Sequence, residues 1–389
     1  VWCIYDAPLP EGLTPPVGGV RQVSGTSTVL SVETDEQGRD VVVVEEVLKK
    51  GLEPYPEVPM GVGPGSPVPT GLVEGAVREV AEHAVRSLDG GAGRFPAQPA
   101  LDVLRRLPPQ LKADDRAELS ADVDGSDLRL PPVGSGRGAY ISAITDAVRR
   151  LDRSYLAVQG PPGTGKTYVA ARVIERLVRS GWHVGVVAPS HAVVEHLLDK
   201  VVEAGVPAYR VGKKPQGSGE HTKAWTAIGD KKQGKFLGEH KDHGCVIGGT
   251  AWDFTNANKV GRRALDLLVV DEAGQFSLAN TVAVSVAAEN LLLLGDPQQL
   301  PQVSQGTHPE PVDGSALGWV ADGHDALPAD LGYFLERTWR LHPELCAPVS
   351  RLSYEGRLRS EEEATTARRL DGVAPGVHVV EVEHRGNAV

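Results

Sequence analysis

The chain is poor in cysteine, methionine, aromatic residues and long apolar runs. Its 389 residues include three cysteines, and three scattered thiols cannot build a disulfide framework, so we expect a reducing, cytoplasmic environment. No apolar run approaches the ~20 residues that a membrane-spanning helix needs, which argues against a membrane partner. The only methionine is Met60 and the chain opens at Val1, and we interpret this as the sign of a fragment.

Positive charge is also in short supply. The 40 Lys and Arg residues stand against 51 Asp and Glu residues, which gives a formal net charge of −11. That balance argues against a protein that coats nucleic acid non-specifically, although it leaves room for a local basic groove. The length and a hydrophobic content of 41% predict two or three domains, each with its own core.

One eight-residue loop carries the strongest functional signal in the chain. It reads GPPGTGKT and matches the full G-x-x-x-x-G-K-[ST] pattern of a phosphate-binding loop. Glycines let backbone N–H groups close around phosphate oxygens, while the lysine reaches the β- and γ-phosphates and the threonine hydroxyl can ligate Mg²⁺. The predicted nucleotide-binding residues of this loop are Gly160, Pro161, Pro162, Gly163, Thr164, Gly165, Lys166 and Thr167.

The segments around the loop predict an α/β fold. Residues 155–158 form a short apolar strand pattern, and residues 168–179 have helical periodicity, so the helix N-terminus faces the bound anion. From residue 139 onward, helical and apolar strand patterns alternate, which is typical of a mainly parallel sheet covered by helices. Further strands are predicted at 184–188, 245–248, 265–270 and 291–294, and further helices at 140–151, 192–202 and 278–288.

Residues 1–138 have a different texture and predict an accessory region. A strand pair is expected at 26–32 and 40–47, joined by a turn at residues 36–38. Apolar residues at helical spacing predict a stalk helix at 72–88, and a short helix is expected near 101–107. Linkers rich in Pro and Gly separate these elements, and the polar stretch 122–138 is the predicted boundary.

Polar side chains follow two more of the predicted strands. The apolar run 267–270 ends in Asp271 and Glu272, and ligands sit at the carboxyl ends of strands in such sheets. Asp271 is suited to hold Mg²⁺, while Glu272 can orient and deprotonate an attacking water. The run 291–294 likewise ends in a polar turn that contains Gln299.

Read in order, these segments resemble a known family. GPPGTGKT, APSHAVV, VIGGTAW, VVDEAGQ and LLGDPQQLP resemble motifs I, Ia, Ic, II and III of superfamily 1 helicases. The DEAGQ form and the segment TWRLHP at 338–343 resemble the branch that moves 5′ to 3′. Residues 154–167 and the tail 375–389 look most like the helicase half of bacterial RecB-like nuclease–helicase fusions. The resemblance covers residues 139–389.

The resemblance implies a P-loop NTPase with RecA-like domains that hydrolyses ATP with Mg²⁺. A first RecA-like domain is expected at 139–318, and a truncated second one at 319–389. Gln275 and Gln299 would sense the γ-phosphate, Arg340 would be the arginine finger, and Trp339 would stack on the adenine in place of the family's tyrosine. The segment 144–148 lacks the glutamine that this family places ahead of the loop. The resemblance also leaves room for a nuclease domain upstream in a longer protein.

The same resemblance implies contacts with nucleic acid. Ser190 and His191 follow the second predicted strand, and Gly249 and Thr250 follow the strand at 245–248. Hydroxyls and free N–H groups at such turns suit phosphate and sugar contacts. The expected partner is single-stranded or forked nucleic acid, DNA in preference to RNA.

A lysine-rich segment between these turns has two interpretations. It interleaves Trp225 and Phe236 with basic residues, as single-strand binding surfaces do. The alternative is a flexible, solvated insertion. His240, His243 and Cys245 lie nearby but lack a fourth ligand at matching spacing, so no metal site is expected. The lysines are Lys213, Lys214, Lys223, Lys231, Lys232, Lys235 and Lys241.

Three alternative functions remain open from the sequence. The chain could bind ATP without unwinding anything, because part of the second RecA-like domain is expected to be missing. It could act on RNA, since the motifs serve both polymers. It could also remodel proteins as an AAA-type ATPase, a class that often carries GPPGTGKT, although Gln299 and Arg340 argue against that.

Overall fold

The chain divides into two compact units, residues 1–70 and residues 71–389. The structure is a computed structural model, and each unit is described by itself. The described residues are 1–6, 10, 13, 22–23, 27–48, 51, 53–63, 69–92, 95–115, 130–216, 223–300 and 308–381. Parts of the predicted boundary at 122–138, of the lysine-rich segment and of the tail at 375–389 lie outside these ranges.

The described residues of the first unit form two small antiparallel sheets. Strand β1 (Trp2–Tyr5) lies between β2 (Gln22–Val23) and β5 (Gly61–Gly63). Strands β3 (Ser27–Thr34) and β4 (Asp40–Glu46) form a hairpin, which confirms the predicted pair. Its turn is stabilised by the carboxylate of Asp35, which accepts the backbone N–H groups of Gln37 and Arg39.

An eight-stranded, all-parallel sheet forms the centre of the second unit, as the alternating pattern predicted. The strand order is β13-β6-β12-β11-β7-β10-β8-β9. Strands β6 and β10 are buried along their whole length and β12 is buried at all but one residue, as expected for a sheet covered on both faces. The strands are β6 (Tyr155–Gln159), β7 (His183–Val187), β8 (Val211–Lys213), β9 (Thr226–Ala227), β10 (Cys245–Gly249), β11 (Leu265–Asp271), β12 (Ala288–Gly295) and β13 (Gly332–Phe334).

Helices cover both faces of this sheet. One core packs α3, α4 and α5 against it, and the other packs α2, α6, α7, α8 and α9. Helix α1 joins α2 and α8 in a smaller cluster. These helices are α1 (Gly71–Ser87), α2 (Pro99–Leu104), α3 (Ala139–Arg150), α4 (Lys166–Arg179), α5 (His191–Glu203), α6 (Gln233–Glu239), α7 (Ala251–Thr255), α8 (Leu278–Val284) and α9 (Ala316–Ala321).

The last described part of the chain forms a small lobe beside the main sheet. It contains a short parallel pair, β14 (Arg337–Thr338) with β15 (Arg359–Ser360), and helices α10 (Pro343–Ser353) and α11 (Glu362–Thr365). Strand β13 precedes this lobe and pairs with β6 in the main sheet, although it follows the boundary predicted at residue 318. In the described part of the chain, no helix has the length and apolar content to span a bilayer.

One predicted helix is wrong at its end. Helix α8 stops at Val284, a 3₁₀ turn spans Ser285–Ala287, and Ala288 already opens β12. The Ser285 hydroxyl donates to the Val282 carbonyl at 2.7 Å and so turns the chain. The sequence hides this change, because the alanines and valines on either side of Ser285 suit both a helix and a buried strand.

Candidate nucleotide and nucleic-acid site

The phosphate loop connects the end of β6 to the start of α4. Gly163 and Gly165 adopt φ of 79° and 81°, a left-handed conformation that favours glycine. The Lys166 amine donates to the Gly160 carbonyl at 2.7 Å and therefore folds back over the loop. The N–H groups of Gly165, Lys166 and Thr167 have no backbone acceptor among the described residues, so they are free to bind an anion.

This loop has the shape of a phosphate cradle. A Cβ placed on Gly160 would lie 2.9 Å from the Thr164 hydroxyl and would collide with the Lys166 side chain. The loop also stands at the N-terminus of a 14-residue helix, where the helix dipole favours an anion. These features fit a triphosphate, with Thr167 and Asp271 available as oxygen ligands for Mg²⁺.

The two predicted acids lie at the same sheet edge as the loop. Strand β11 pairs with β12 and β12 pairs with β6, so a single strand separates the one that ends in Asp271 from the one that carries the loop. Burial and then the charge of Glu272 raise the pKa of Asp271 to about 7, while the Glu272 N–H and the charge of Lys166 lower it. Lys166 and Asp271 therefore lie at the same carboxyl-end edge of the sheet, as the pairing of β11, β12 and β6 requires.

A tight contact between turns places the two predicted sensor glutamines. A Cβ on Gly274 would overlap the backbone of Asp296, so the turns after β11 and β12 are in direct contact. Gln275 is half-buried in the first of them. Gln299 lies in the second, and its amide donates to Asp296 Oδ2 at 3.3 Å.

The small lobe also touches the phosphate loop. The Thr338 hydroxyl donates to the Pro162 carbonyl at 2.8 Å, and the Trp339 N–H donates to the Gly163 carbonyl at 2.8 Å. Arg340 comes next and makes no ion pair with a described residue. The Trp339 ring is 47% exposed, so it is not a core aromatic residue. The structure therefore places Thr338, Trp339 and Arg340 against the phosphate loop, and their part in binding nucleotide stays a prediction.

The predicted nucleic-acid residues follow or end strands β7 and β10 at the same carboxyl-end edge of the sheet. The Ser190 hydroxyl accepts the Val193 N–H at 3.3 Å and caps α5. The Thr250 hydroxyl and N–H both donate to Asp253 at 2.9 Å at the start of α7. Burial and the charge of Lys213 lower the pKa of His191, which favours a neutral ring.

The prediction that the lysine-rich segment forms a surface for binding single-stranded nucleic acid is wrong for its two aromatic residues. Trp225 is 2% exposed and belongs to the core on one face of the sheet, while Phe236 is 7% exposed and belongs to the other. Lys213 ends strand β8 and forms a buried ion pair with Glu195 at 2.8 Å. Large aromatic side chains are more stable when they pack against these strands than when they are exposed to water. The sequence alone could not show that the strands would lie beside them.

The nearby histidines and cysteine do not form a metal site. Cys245 is fully buried in β10, and burial raises the pKa of its thiol to about 12. The His240 ring contacts the Phe236 carbonyl at 2.9 Å. Among the residues that the structure describes, no cluster of three or more His, Cys, Asp or Glu could hold a metal ion.

Sequence reasoning missed a buried polar group behind the site. Asp296 is 1% exposed, and its carboxylate accepts from Gln298, Gln299, Gln159 and Tyr354. One signal was present, namely a charged residue directly after the apolar strand β12. Its partners could not be found in this way, because Tyr354 lies 58 residues further along the chain.

Part of the chain is similar in sequence to a known protein family and to known proteins. Residues 142–313 match the protein family described as AAA domain. A stretch of 155 residues is 26% identical to DNA replication ATP-dependent helicase/nuclease JHS1 of Arabidopsis thaliana, over 40% of this chain and 12% of that protein. Another of 218 residues is 26% identical to helicase/nuclease DNA2 of Xenopus laevis, over 54% of this chain and 20% of that protein.

The alignments with these relatives therefore span a fifth of their length or less. Among solved structures, the complex of arterivirus nonstructural protein 10 (helicase) with DNA is 17% identical, with a TM-score of 0.37, over 55% of this chain and 43% of that chain. The parallel sheet, the phosphate loop and the strand-end acids define a P-loop, RecA-like α/β fold, and residues 142–313 are similar to an AAA domain of the superfamily 1 helicase type.

Proposed function

We propose that the chain is an ATP-dependent helicase or translocase that hydrolyses ATP to ADP and phosphate and acts on single-stranded or forked DNA. One observation carries the proposal. The phosphate loop, the acids at the end of β11 and the lobe that bears Arg340 meet at one edge of the sheet. A site that only bound a nucleotide would not need the acid and the arginine beside the phosphates.

Each residue has a defined part in this hydrolysis. Lys166 and the loop N–H groups bind the phosphate oxygens, and Arg340 stabilises negative charge as the terminal phosphoryl group leaves. Thr167 and Asp271 would hold Mg²⁺, which neutralises phosphate charge when bound. Glu272 orients a water molecule and takes its proton. Gln275 and Gln299 contact the terminal phosphate and report its loss.

Base recognition and strand contact follow from the neighbouring residues. The exposed ring of Trp339 stacks on adenine, which gives affinity without the glutamine that the sequence lacks. Ser190, His191, Gly249 and Thr250 contact the sugar–phosphate backbone where β7 and β10, one and two strands away from β11, lead into helices α5 and α7. The two relatives named for DNA replication favour DNA, and the DEAGQ motif favours 5′-to-3′ movement.

The first experiment measures phosphate release by the chain with ATP and Mg²⁺, alone and with single-stranded DNA or RNA. We expect stimulation by DNA that exceeds stimulation by RNA. Lys166→Ala should abolish release, because the phosphates lose their main charged partner, whereas Lys200→Ala removes an exposed lysine on α5 and should not. No release by the wild-type protein under any condition would overturn the proposal.

The remaining outcomes identify the alternatives. ATP binding and hydrolysis without displacement of a labelled strand would indicate a nucleotide-binding fragment that lacks unwinding activity. Stronger stimulation by RNA would indicate an RNA helicase. A ring-sized oligomer on a sizing column, with hydrolysis indifferent to both polymers, would indicate an AAA-type protein-remodelling ATPase. Displacement from substrates with a 5′ or a 3′ single-stranded tail tests the polarity. The cytoplasmic location stays a prediction.

A further inference from the structure

We infer that Tyr354 is a positioning residue for Arg340, and that it acts through its hydrogen bond to the buried carboxylate of Asp296. The Tyr354 hydroxyl donates to Asp296 Oδ2 at 2.8 Å, and both side chains are almost fully buried. The catalytic part of this inference rests on the proposed ATP hydrolysis. The structural part does not, because it concerns only how the lobe is held.

Asp296 is a junction between three parts of the site. Its Oδ1 accepts the Gln298 N–H at 3.2 Å and the Gln159 amide at a long 3.5 Å. Its Oδ2 is shared between the Gln299 amide at 3.3 Å and the Tyr354 hydroxyl. Gln159 is the residue immediately before the phosphate loop, and Gln299 is the predicted sensor. A buried carboxylate needs such donors, because it has no water to solvate it.

Tyr354 belongs to the same lobe as Arg340. It directly follows α10, whose first turn is capped by His342, two residues after Arg340. The lobe closes on itself, because β15 pairs with β14 and the Ser360 hydroxyl donates to the Leu341 carbonyl at 2.7 Å. A displacement at Tyr354 is therefore transmitted to residues 338–340, which touch the phosphate loop.

The lobe has other attachments, and Tyr354 differs from them in what it contacts. Arg357 donates to the Leu327 carbonyl at 3.0 Å, and the Ala326 N–H approaches Glu355 at 3.4 Å. Those contacts reach residues outside the nucleotide site. Tyr354 alone, among the described contacts of the lobe, shares an acceptor atom with Gln299. When Gln299 turns toward a phosphate, its hydrogen bond to Asp296 is lost and Tyr354 becomes the remaining side-chain donor to that oxygen.

The test uses Tyr354→Phe, which removes the hydroxyl and keeps the ring beside Phe334. A hydrogen bond to a charged group contributes enough to change an equilibrium about tenfold. We therefore expect kcat for ATP to fall about tenfold with little change in KM. Tyr155→Phe is the matched control, since it also removes a buried hydroxyl. That hydroxyl donates to the Leu107 carbonyl at the start of β6, whereas the phosphate loop follows the end of this strand. This control should leave kcat unchanged.

A double variant separates positioning from general destabilisation. If Tyr354 acts through Arg340, Tyr354→Phe should have no further effect on kcat in an Arg340→Ala background. The same tenfold loss in both backgrounds would overturn the inference.

Hydrogen exchange tests the inference without any activity. The Trp339 amide donates to the Gly163 carbonyl, so its exchange rate reports the attachment of the lobe to the loop. We expect faster exchange in Tyr354→Phe and an unchanged rate in Tyr155→Phe. An unchanged rate in both variants would overturn the positioning role. If the wild-type chain fails to hydrolyse ATP, the proposed function fails, while this measurement still decides how the lobe is held.

Discussion

Gly163, in the phosphate loop, has no room for a side chain. It has φ of 79°, and a Cβ there would overlap Arg340 Cβ and lie 2.7 Å from the Thr338 hydroxyl oxygen. Ordinary contacts between heavy atoms are about 3.5–4.0 Å, so Gly163→Ala must move the lobe by about 1 Å. A misplacement of that size can reduce a catalytic rate about 10²-fold. We expect a loss of kcat of this order.

Gly181→Ala is the control for backbone strain. Gly181 has φ of 88°, but a Cβ there would meet nothing within 4 Å. Both substitutions carry the left-handed penalty of about 1–2 kcal/mol, which chemical denaturation should show as a similar loss of stability. Only Gly163→Ala adds the collision with the lobe, so only this variant should lose kcat.

Steady-state ATP hydrolysis and nucleotide binding decide the outcome. Binding separates a distorted phosphate cradle from a displaced arginine, because a displaced Arg340 lowers kcat while the loop still binds ATP. In an Arg340→Ala background, Gly163→Ala should lower kcat only slightly further. Wild-type kcat in Gly163→Ala, or an equal loss in Gly181→Ala, would refute the argument that the lobe acts at the loop.

Three further predictions follow from the same geometry. Glu272→Gln should bind a fluorescent ATP analogue normally while phosphate release falls about 10²–10⁴-fold, because the site loses its general base. The control Glu289→Gln, at the opposite end of the sheet, should release phosphate at the wild-type rate. Trp339→Ala should raise the KM for ATP about tenfold through lost stacking, Trp339→Phe should recover most of it, and an unchanged KM in the alanine variant would remove the stacking role. Trp225→Ala should lower the free energy of unfolding by about 3–5 kcal/mol and leave the salt dependence of DNA binding unchanged. A variant that keeps its full stability but shows a flatter salt dependence would mean that Trp225 lies on a DNA-binding surface after all.

Local patterns carried most of what could be predicted. The phosphate loop depends on the backbone freedom of its own glycines and on the strand and helix that flank it, so eight consecutive residues were enough to identify it. Asp271 and Glu272 were found in the same way, as acids at the end of an apolar strand. The order of these segments along the chain then indicated a parallel sheet with its polar ends at one edge.

The failures have a common physical origin in contacts between distant segments. The alanine-rich run before β12 suits a helix and a buried strand equally, and packing against the sheet decided between them. Trp225 and Phe236 were compatible with a binding surface until strands β8 and β10, near one side of the sheet, gave them a core to cover. Whether a side chain is buried depends on how the strands and helices pack, and this cannot be predicted from the spacing of residues along the chain.

The sequence by itself determined the chemistry of the phosphate loop, because backbone N–H groups, a lysine and a threonine act there as near neighbours. The family resemblance implied that Arg340 belongs to the site, but tertiary structure alone decided that Thr338 and Trp339 attach it to this loop and that Asp296 receives the Tyr354 hydroxyl. Both contacts join residues that are far apart in the chain and depend on how the small lobe packs. That packing follows from the summed burial of many side chains, which no short motif records.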